Sequence, residues 1–387
     1  MKNLIKLLTI LVVSQYTFGQ DRVITTAVPF LLIAADARSA GMADMGVATS
    51  ADAYSQQFNP SKYAFSKQKQ GFSMSYTPYL TSIANDISLG QITYFNRFND
   101  RMAFSGSLRY FSLGEIELRQ FYDDPARIVS PNEFALDGSY SLKLSPEFAM
   151  GVSGRYIRSS MKIPNDNLDV KPASTFAVDI SGIYQSEEVA YDNFNGRWRA
   201  GFNFQNLGPK ISYDNDLLNE NFIPANMRLG GSFDFILDDY NKVSLIGETT
   251  KLLVPTPQNS DLDNNNDTTP EEKSLNNQNY RKISWTSGIF QSFGDAPDGF
   301  SEELKEFTWA LGAEYWYQDS FALRTGYFNE SVEKGARKYV TLGAGFKYNT
   351  IKIDISYLFS ASKVRNPLEN TLRFSLSFNF GDEYDDN

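Results

Sequence analysis

The sequence predicts an all-β protein, a transmembrane antiparallel β-barrel of about 14 strands that carries an N-terminal plug segment. Three observations support this prediction. The chain starts with a segment typical of an export signal, it is rich in aromatic residues and glycine (30 Phe, 22 Tyr and 26 Gly), and long segments alternate apolar and polar residues. Alternation with period two indicates strands with one apolar face. An exported chain can cross the outer membrane with such strands because their mean hydropathy stays low.

The opening residues predict a signal peptide over residues 1–19. Two lysines precede an apolar run from Leu7 to Val13, and the residues up to Gly19 suit a cleavage site. The apolar run is well short of the ~20 residues that a membrane-spanning helix needs. We therefore expect removal of this segment on export and assign residues 20–68 to the plug.

The segment TLRFSLSFNF, from Thr371 to Phe380, shows the alternation most clearly, with Phe374 and Phe378 on one face and Arg373 on the other. The polar faces of the candidate strands carry many full charges, and aromatic residues cluster near strand ends. Both features are typical of a barrel with a wet or salt-bridged lumen and interfacial girdles. A soluble β-sandwich would also alternate, but strands of about ten residues or more favour the barrel.

The alternation yields one more candidate strand than an even-stranded barrel permits. The candidates lie near residues 70–80, 85–97, 102–113, 133–144, 147–158, 174–185, 197–206, 225–237, 241–251, 281–292, 305–317, 321–329, 338–348, 351–360 and 371–380. Counting short turns from both ends of the chain, on the rule that they face the periplasm, removes one candidate. We therefore assign ISWTSGIFQSF, Ile283 to Phe293, to a long outer loop over residues 252–303. The barrel then spans residues 69–380 and an acidic tail follows over residues 381–387.

Composition excludes several kinds of catalytic site. The chain contains no Cys and no His, which removes disulfides, thiolate nucleophiles, Cys/His zinc sites and Ser-His-Asp triads. No isolated carboxylate pair has a context that suggests acid/base chemistry, so we expect no enzyme and no cofactor. A formal net charge of -10 argues against a nucleic-acid partner, because phosphate binding needs a basic face.

The plug segment contains GMADMG, in which Gly41 and Gly46 have the spacing of a phosphate-binding loop. Such a loop needs Lys and Ser or Thr after its second glycine, and here Val47 and Ala48 follow. The small residues instead predict a compact element that packs inside the lumen. Asn59-Pro60 is expected to end it before the first strand.

The second half of the outer loop is aromatic, unlike an ordinary solvated loop. Exposed aromatic area predicts a partner-binding surface, and Pro, Asp and Gly residues supply the turns of an ordered structure. The candidate partner-binding residues are Trp285, Phe290, Phe293, Asp295, Pro297 and Phe300.

The first half of the outer loop contains a weak calcium-binding pattern. The residues at positions one, three, five, seven and twelve of the calcium-loop spacing are Asp261, Asp263, Asn265, Asp267 and Glu272. Position six is Asn266, where Gly is expected, and no flanking helices are predicted. A disordered Asn/Asp-rich insertion is the favoured interpretation.

Three segments together resemble a known family: PFLLIAADARSAGMADMGVATSADAYSQQFNPSKYAF, GIFQSFGDAPDGFSEELKEFTWALGAEYWY and VRNPLENTLRFSLSFNF. They are similar to the PorV (LptO) family, outer-membrane barrels of the Bacteroidota type IX protein secretion system. The leading segment also resembles, more distantly, the plug of FadL-type channels for hydrophobic compounds. Asn59-Pro60-Ser61 stands where that family has Asn-Pro-Ala.

The resemblance implies a FadL-like barrel of 14 strands in the outer membrane that works without catalysis. It also implies partners: outer-membrane lipid, the giant translocon barrel, secreted cargo with C-terminal signal domains, and the cell-surface attachment complex. The rival hypothesis is a FadL-type channel that takes up a hydrophobic small molecule. A channel needs a continuous lumenal path and an apolar pocket, whereas a shuttle needs exposed apolar loops.

Overall fold

The computed structural model describes residues 23–81, 84, 86–119, 122–123, 125–162, 171–213, 220–258, 269–362 and 366–384. Within those residues the chain forms a ring of long antiparallel strands. They are β1 (Gln68–Pro78), β2 (Ser88–Arg97), β3 (Met102–Ser112), β4 (Asn132–Lys143), β5 (Phe148–Ser159), β6 (Ala173–Gln185), β7 (Asn195–Leu207), β8 (Asn226–Ile236), β9 (Asn241–Leu252), β10 (Thr308–Tyr317), β11 (Phe321–Asn329), β12 (Lys338–Tyr348), β13 (Ile351–Ser360) and β14 (Leu372–Glu383).

Each strand pairs with its sequence neighbours, and the ring closes because β1 pairs with both β2 and β14. The closing register places Phe72 opposite Phe378 and Tyr76 opposite Phe374. Closure leaves no unpaired sheet edge, which a membrane-spanning sheet requires. The predicted 14-stranded antiparallel barrel is confirmed. None of the helices in the described part of the chain is long and apolar enough to cross a membrane.

The two faces of the wall follow the predicted parity. On β14, Arg373, Ser375 and Ser377 are buried inside the barrel, whereas Leu372 and Phe374 are exposed on the outside. Large apolar side chains on the outward parity of the other strands are exposed in the same way, for example Phe104 and Leu323. This surface meets lipid, and the polar parity lines the lumen.

The lumen is filled by the N-terminal segment, residues 23–67. It contains two short helices, α1 (Ala37–Ala40) and α2 (Ser55–Phe58), and a 3₁₀ turn at Pro60–Phe65 that leads into β1. Nearly every side chain between residues 34 and 64 is buried. The largest apolar cluster lies here, where Phe30 and Leu31 of the segment pack against the wall residue Ile157.

The connection between β9 and β10 is helical. It includes residues 281–292, which the alternation had marked as a candidate strand. It contains α3 (Pro270–Lys282), α4 (Trp285–Gln291) and α5 (Phe300–Glu303), followed by a 3₁₀ turn before β10. Ile283–Phe293 therefore does not span the membrane, in agreement with the parity argument. Strand β14 runs to Glu383, three residues beyond the predicted end at Phe380, because Gln68 at the start of β1 pairs with Glu383.

The two ends of the barrel differ in their connections. One end has the short turns and both chain termini of the barrel, and the other has the long connections, including the one from β9 to β10. By the general rule for bacterial barrels the short turns face the periplasm and the long loops face the cell exterior. The loop between β3 and β4 adds a small hairpin, Ile116–Leu118 paired with Arg127–Val129, at the long-loop end.

Candidate functional site

The GMADMG segment holds an anion, and that anion is a carboxylate of the barrel wall. The backbone N–H groups of Gly46 and Val47 donate to Oε2 of Glu248 on β9, at 2.9 and 3.1 Å. Ala43 and Asp44 adopt positive φ angles of 55° and 63°, which turn the chain towards these contacts. The loop therefore uses its N–H groups to bind Glu248, as a nest of backbone amides binds anions in general.

The two glycines of that segment allow close packing. A Cβ on Gly46 would lie 2.4 Å from Cγ of Phe58, and a Cβ on Gly41 would lie 3.0 Å from the Cα of Gly343 in the wall. Both contacts leave no room for a side chain. These positions need glycine for its small size and not for an unusual backbone conformation, because neither glycine has a positive φ.

Asn59 and Pro60 join the segment to the wall. The Asn59 amide donates to the carbonyl oxygens of Val47 (2.8 Å) and of Gly182 on β6 (2.9 Å), and its Oδ1 accepts from Ser61 N–H at 3.2 Å. Asn59 is fully buried, so these bonds satisfy groups that water cannot reach. Pro60 begins the 3₁₀ turn, where its missing N–H is not needed.

Buried ion pairs anchor α1 to the wall. Arg38 makes a bidentate pair with Glu314 of β10, at 2.9 Å from Nε and 2.7 Å from Nη2, and also contacts Asp52 at 2.5 Å. Glu314 in turn accepts from Arg324 Nε at 2.7 Å, and Arg324 pairs with Asp354 at 2.8 Å. Such a connected network keeps each buried charge compensated.

A cavity of about 560 Å³ lies at the long-loop end of the lumen, between residues 23–32 and the wall. Its apolar lining includes Leu32, Met45 and Phe328. Its charged lining is paired: Arg228 contacts Glu248 at 3.0 Å, Asp44 contacts Arg373 at 2.9 Å, and the other charged groups belong to ion pairs of the outer loops. The cavity is therefore a mixed polar and apolar space.

The outer loop presents its predicted aromatic residues unequally. Phe290 is 79% exposed, Phe300 76% and Phe293 46%, whereas Trp285, at the start of α4, is half-buried. Leu304, beyond α5, is also exposed at 55%. We call Phe290, Phe293, Phe300 and Leu304 the outer patch.

The remaining predicted residues of this loop differ in role. Asp295 is half-buried and its Oδ2 accepts from the Thr256 N–H at 3.0 Å. The Asp295 carbonyl accepts from Gln258 Nε2 at 2.8 Å, so this turn is tied to the start of the loop. Pro297 is exposed in the turn that follows.

Helix α4 lies on a neighbouring loop without intervening space. A Cβ on Gly288 would lie 3.0 Å from both Phe222 and Pro255. Phe222 also packs edge-on against Tyr280 of α3, and Lys210 donates to the Arg281 carbonyl at 2.8 Å. Lys210 and Phe222, on the connection between β7 and β8, therefore support α3 and α4.

An ionic clasp at the base of the outer patch consists of two lysines, Lys251 and Lys334, and four carboxylates, Asp295, Glu302, Glu303 and Glu306. Lys251, at the end of β9, is fully buried and contacts Glu303 at 2.8 Å and Glu306 at 2.6 Å. Lys334, from the loop between β11 and β12, contacts Glu302 at 2.8 Å and Glu306 at 2.9 Å. The clasp joins the patch to two different parts of the barrel mouth.

Asp295 belongs to the clasp through its neighbouring carboxylates, and none of the four lysine contacts given above involves it. Its carboxylate oxygen lies within 4.8 Å of those of Glu303 and Glu306. Burial, together with the charges of Glu306 and Glu303, raises the pKa of Asp295 to about 6. Three carboxylates converge here, and Lys251 contacts two of them, Glu303 and Glu306.

The calcium pattern lies mostly outside the described residues, which exclude Asp261, Asp263, Asn265 and Asp267. Glu272 has a structural role: its carboxylate accepts from Thr269 N–H at 2.9 Å in the capping box that starts α3. The expectation that no helix flanks the pattern is wrong, because α3 follows directly. Thr269, Pro270 and Glu272 form a standard helix start that the sequence contained.

Comparison with known families places this geometry in context. The family model described as type IX secretion system protein PorV matches residues 16–259, well over half of the chain. The chain belongs to the PorV family. This PorV-family protein is thus an outer-membrane component of the type IX secretion system. A comparison with curated proteins gives no match at the level of sequence.

Solved structures similar to this PorV-family barrel include two hydrocarbon channels. The TodX deltaS2S3 mutant, a monoaromatic hydrocarbon channel, is 12% identical, with a TM-score of 0.50 over 89% of this chain and 98% of that one. The CymD monoaromatic hydrocarbon channel is also 12% identical, with a TM-score of 0.50 over 90% and 98% of the two chains. At this identity the likeness shows the fold alone, and it confirms the expected FadL-like barrel.

Sequence reasoning missed the clasp and Leu304. Lys251 and Lys334 are separated from their partners by up to 55 residues, and single lysines near strand ends carry no pattern. Leu304 lies in SEELKEF, where a lone Leu among charges reads as an ordinary helix residue. The available signal was the closeness of four acids, Asp295, Glu302, Glu303 and Glu306, which indicates that opposite charge lies nearby.

Proposed function

We propose that this protein binds and hands over other proteins, without catalysis. It associates with the giant translocon barrel of the type IX system, receives folded cargo that carries a C-terminal signal domain, and delivers that cargo to the attachment complex at the cell surface. The coarser role follows from the family. The choice of the outer patch as the contact surface is our proposal.

The observation that carries the proposal is the combination of exposure and anchoring in one loop. Phe290 and Phe300 leave most of their surface uncovered, although the clasp and the Gly288 contact hold the loop in place. Exposed aromatic side chains on an ordered element supply contact area at low cost in entropy. Such residues often dominate an interface, with losses of ~2 kcal/mol or more on truncation.

The double variant Phe290→Ala with Phe293→Ala tests the proposal. We expect normal membrane insertion and heat-modifiable migration, lower secretion of signal-bearing cargo, and roughly 10-fold or greater loss of translocon in pull-downs, since 1.4 kcal/mol corresponds to a factor of ten. The matched control is Phe98→Ala with Tyr348→Ala, which removes two exposed aromatics at the short-turn end.

Normal cargo release and translocon recovery by correctly folded double-variant barrels would remove the outer patch from the mechanism. The loops over residues 114–132 and 207–224 would then be the next candidates. A variant that loses barrel stability, while the surviving protein secretes normally, would mean that these aromatics only cap the mouth.

A second candidate function is uptake of a hydrophobic small molecule. The cavity of about 560 Å³ at the long-loop end favours it, as does the likeness to hydrocarbon channels in fold. Against it, the N-terminal segment fills the lumen below the cavity and blocks the continuous path that a channel needs. Steady single-channel conductance, or uptake that the Phe290/Phe293 double variant leaves unchanged, would favour this alternative.

A further inference from the structure

The connection between β6 and β7, residues 186–194, is the longest at the short-turn end of the barrel. Val189 and Ala190 pair with Gly196 and Asn195, so the connection folds back onto the start of β7. The Tyr191 N–H donates to the Phe194 carbonyl at 2.8 Å and closes the turn. The other connections at this end are tight turns without strands of their own.

Five aromatic rings meet where this connection folds back. The Tyr191 and Phe194 rings stack with centroids 4.9 Å apart, and Phe194 lies 5.3 Å from Phe235. Phe233 lies 4.6 Å from Phe235 and 4.4 Å from Trp198, which is directly opposite it in the register of β7 and β8. We call these five residues the aromatic cluster.

The aromatic cluster is on the lipid side of the wall. Trp198, Phe233 and Phe235 occupy the outward parity of their strands, whereas Arg199 and Asp234 on the other parity are buried in the lumen. The cluster is therefore continuous with the surface that meets lipid, and it lies at the level where strands end and turns begin. Amphipathic rings at that level lie in the headgroup layer.

Gly196 shows how closely the rings cover the backbone. A Cβ on Gly196 would lie 2.5 Å from Cζ of Phe233 and 2.7 Å from Cε2 of Tyr191. The rings thus form a packed platform with Trp198 (55%) and Tyr191 (43%) still exposed. A platform of this kind offers ring faces to a ligand from the membrane.

Acidic side chains lie in the same connection as Tyr191 and Phe194 and in the turn after Phe235. Glu187, Glu188 and Asp192 are exposed in the connection, and Asp238 and Asp239 are exposed in the adjacent turn. Arg197 contacts Glu188 at 3.7 Å, and Lys242 contacts Asp319 at 3.9 Å. The connection itself holds three acids and no base, so it favours a headgroup that carries an ammonium over one that is only anionic.

We propose that the aromatic cluster and these carboxylates bind a phospholipid whose headgroup carries a primary ammonium, such as phosphatidylethanolamine, in the leaflet at the short-turn end. Ring faces attract a cation within about 6 Å. Carboxylates accept the hydrogen bonds that the ammonium donates. Trp198, Phe233 and Phe235 contact the acyl chains, as the rest of the wall does.

Native mass spectrometry of the intact barrel, released from micelles with equal amounts of phosphatidylethanolamine and phosphatidylglycerol, tests this site. We expect retention of the amine-headed lipid to exceed that of the glycerol-headed lipid roughly fivefold. Glu187→Gln with Asp192→Asn should bring the ratio close to one. Tyr191→Ala with Phe194→Ala should lower retention of the amine-headed lipid.

The matched control is Phe321→Ala with Phe346→Ala, a pair of outward rings 5.0 Å apart on another part of the same end. It should leave the ratio unchanged. A ratio near one for the unaltered protein, or an equal loss in the control, would overturn the proposal. The charge variant changes only exposed side chains, so it remains informative if the ring variant fails to fold.

Discussion

The N-terminal segment in the lumen and the outer loop are both held by buried ion pairs. They differ in exposure, because the segment is buried and the loop presents aromatic side chains to solvent. In the lumen, Arg38 and the GMADMG amides are enclosed on all sides by wall residues. In the outer loop, the clasp holds one side while Phe290 and Phe300 remain bare on the other. Anchoring in the lumen completes a core, whereas anchoring outside presents a surface.

This difference predicts a different consequence when an anchor is removed. Loss of a lumenal anchor leaves uncompensated charge among buried groups that the closed wall holds in place. Loss of a clasp residue leaves buried charge at the barrel mouth, where the loop can move away and let water in. We therefore expect global destabilisation in the first case and local release in the second.

The largest effect is expected from Arg38→Met. The substitution removes the bidentate partner of Glu314 and the ion-pair partner of Asp52, and should destabilise the barrel by roughly 3–5 kcal/mol. The heat-modifiable migration of the purified protein measures this, with Arg158→Met, an exposed arginine on the outer face, as the control. An unchanged unfolding temperature would mean that the segment is not coupled to barrel stability.

A smaller and local effect is expected from Lys251→Met. Glu303 and Glu306 lose a fully buried ammonium, so the loop should open while the barrel keeps its unfolding temperature. Limited proteolysis should cut the segment 253–307 faster than in the unaltered protein. Lys305→Met, which removes a half-exposed pair with Glu333, serves as the control and should change little. Global destabilisation by Lys251→Met would contradict the distinction between the two regions.

The smallest effect concerns pH and Asp295. Its pKa of about 6 lies above the ordinary value of 3.8, so the folded loop favours the protonated form. The stability that this group contributes is present at low pH and is lost as pH rises through about 6. Cleavage within residues 253–307 should therefore be slower at pH 5 than at pH 7.5.

Asp295→Asn should remove most of that pH dependence and resemble the unaltered protein at pH 5. Asp298→Asn, an exposed aspartate in the same turn, should leave the dependence intact. Loop protection that falls on acidification would show that breaking the lysine pairs of the clasp outweighs protonation of Asp295.

Much of the wall was predictable because strand parity is a local property. Alternation in segments such as Thr371–Phe380 predicted which side chains face lipid, and the structure agrees for Phe374 and Arg373. The same reasoning failed for the ends of elements. Strand β14 continues to Glu383, where Tyr384 stacks against Arg97 with its ring centroid 4.1 Å from the guanidinium. That contact joins residues nearly three hundred positions apart and leaves no local pattern.

The sequence by itself determined the barrel and its inward and outward faces, since both depend on the order of apolar and polar residues over short stretches. The export signal lies outside the described residues and stays a prediction. Only the tertiary structure decided that Glu248 binds the GMADMG amides, that Lys251 and Lys334 secure the outer loop, and that Phe290 and Phe300 stay exposed while Trp285 does not. Closing the barrel brings these groups together, although they lie far apart along the chain and no local sequence pattern marks the contacts. The physical reason is that a buried charge selects any partner that the closed wall places within reach.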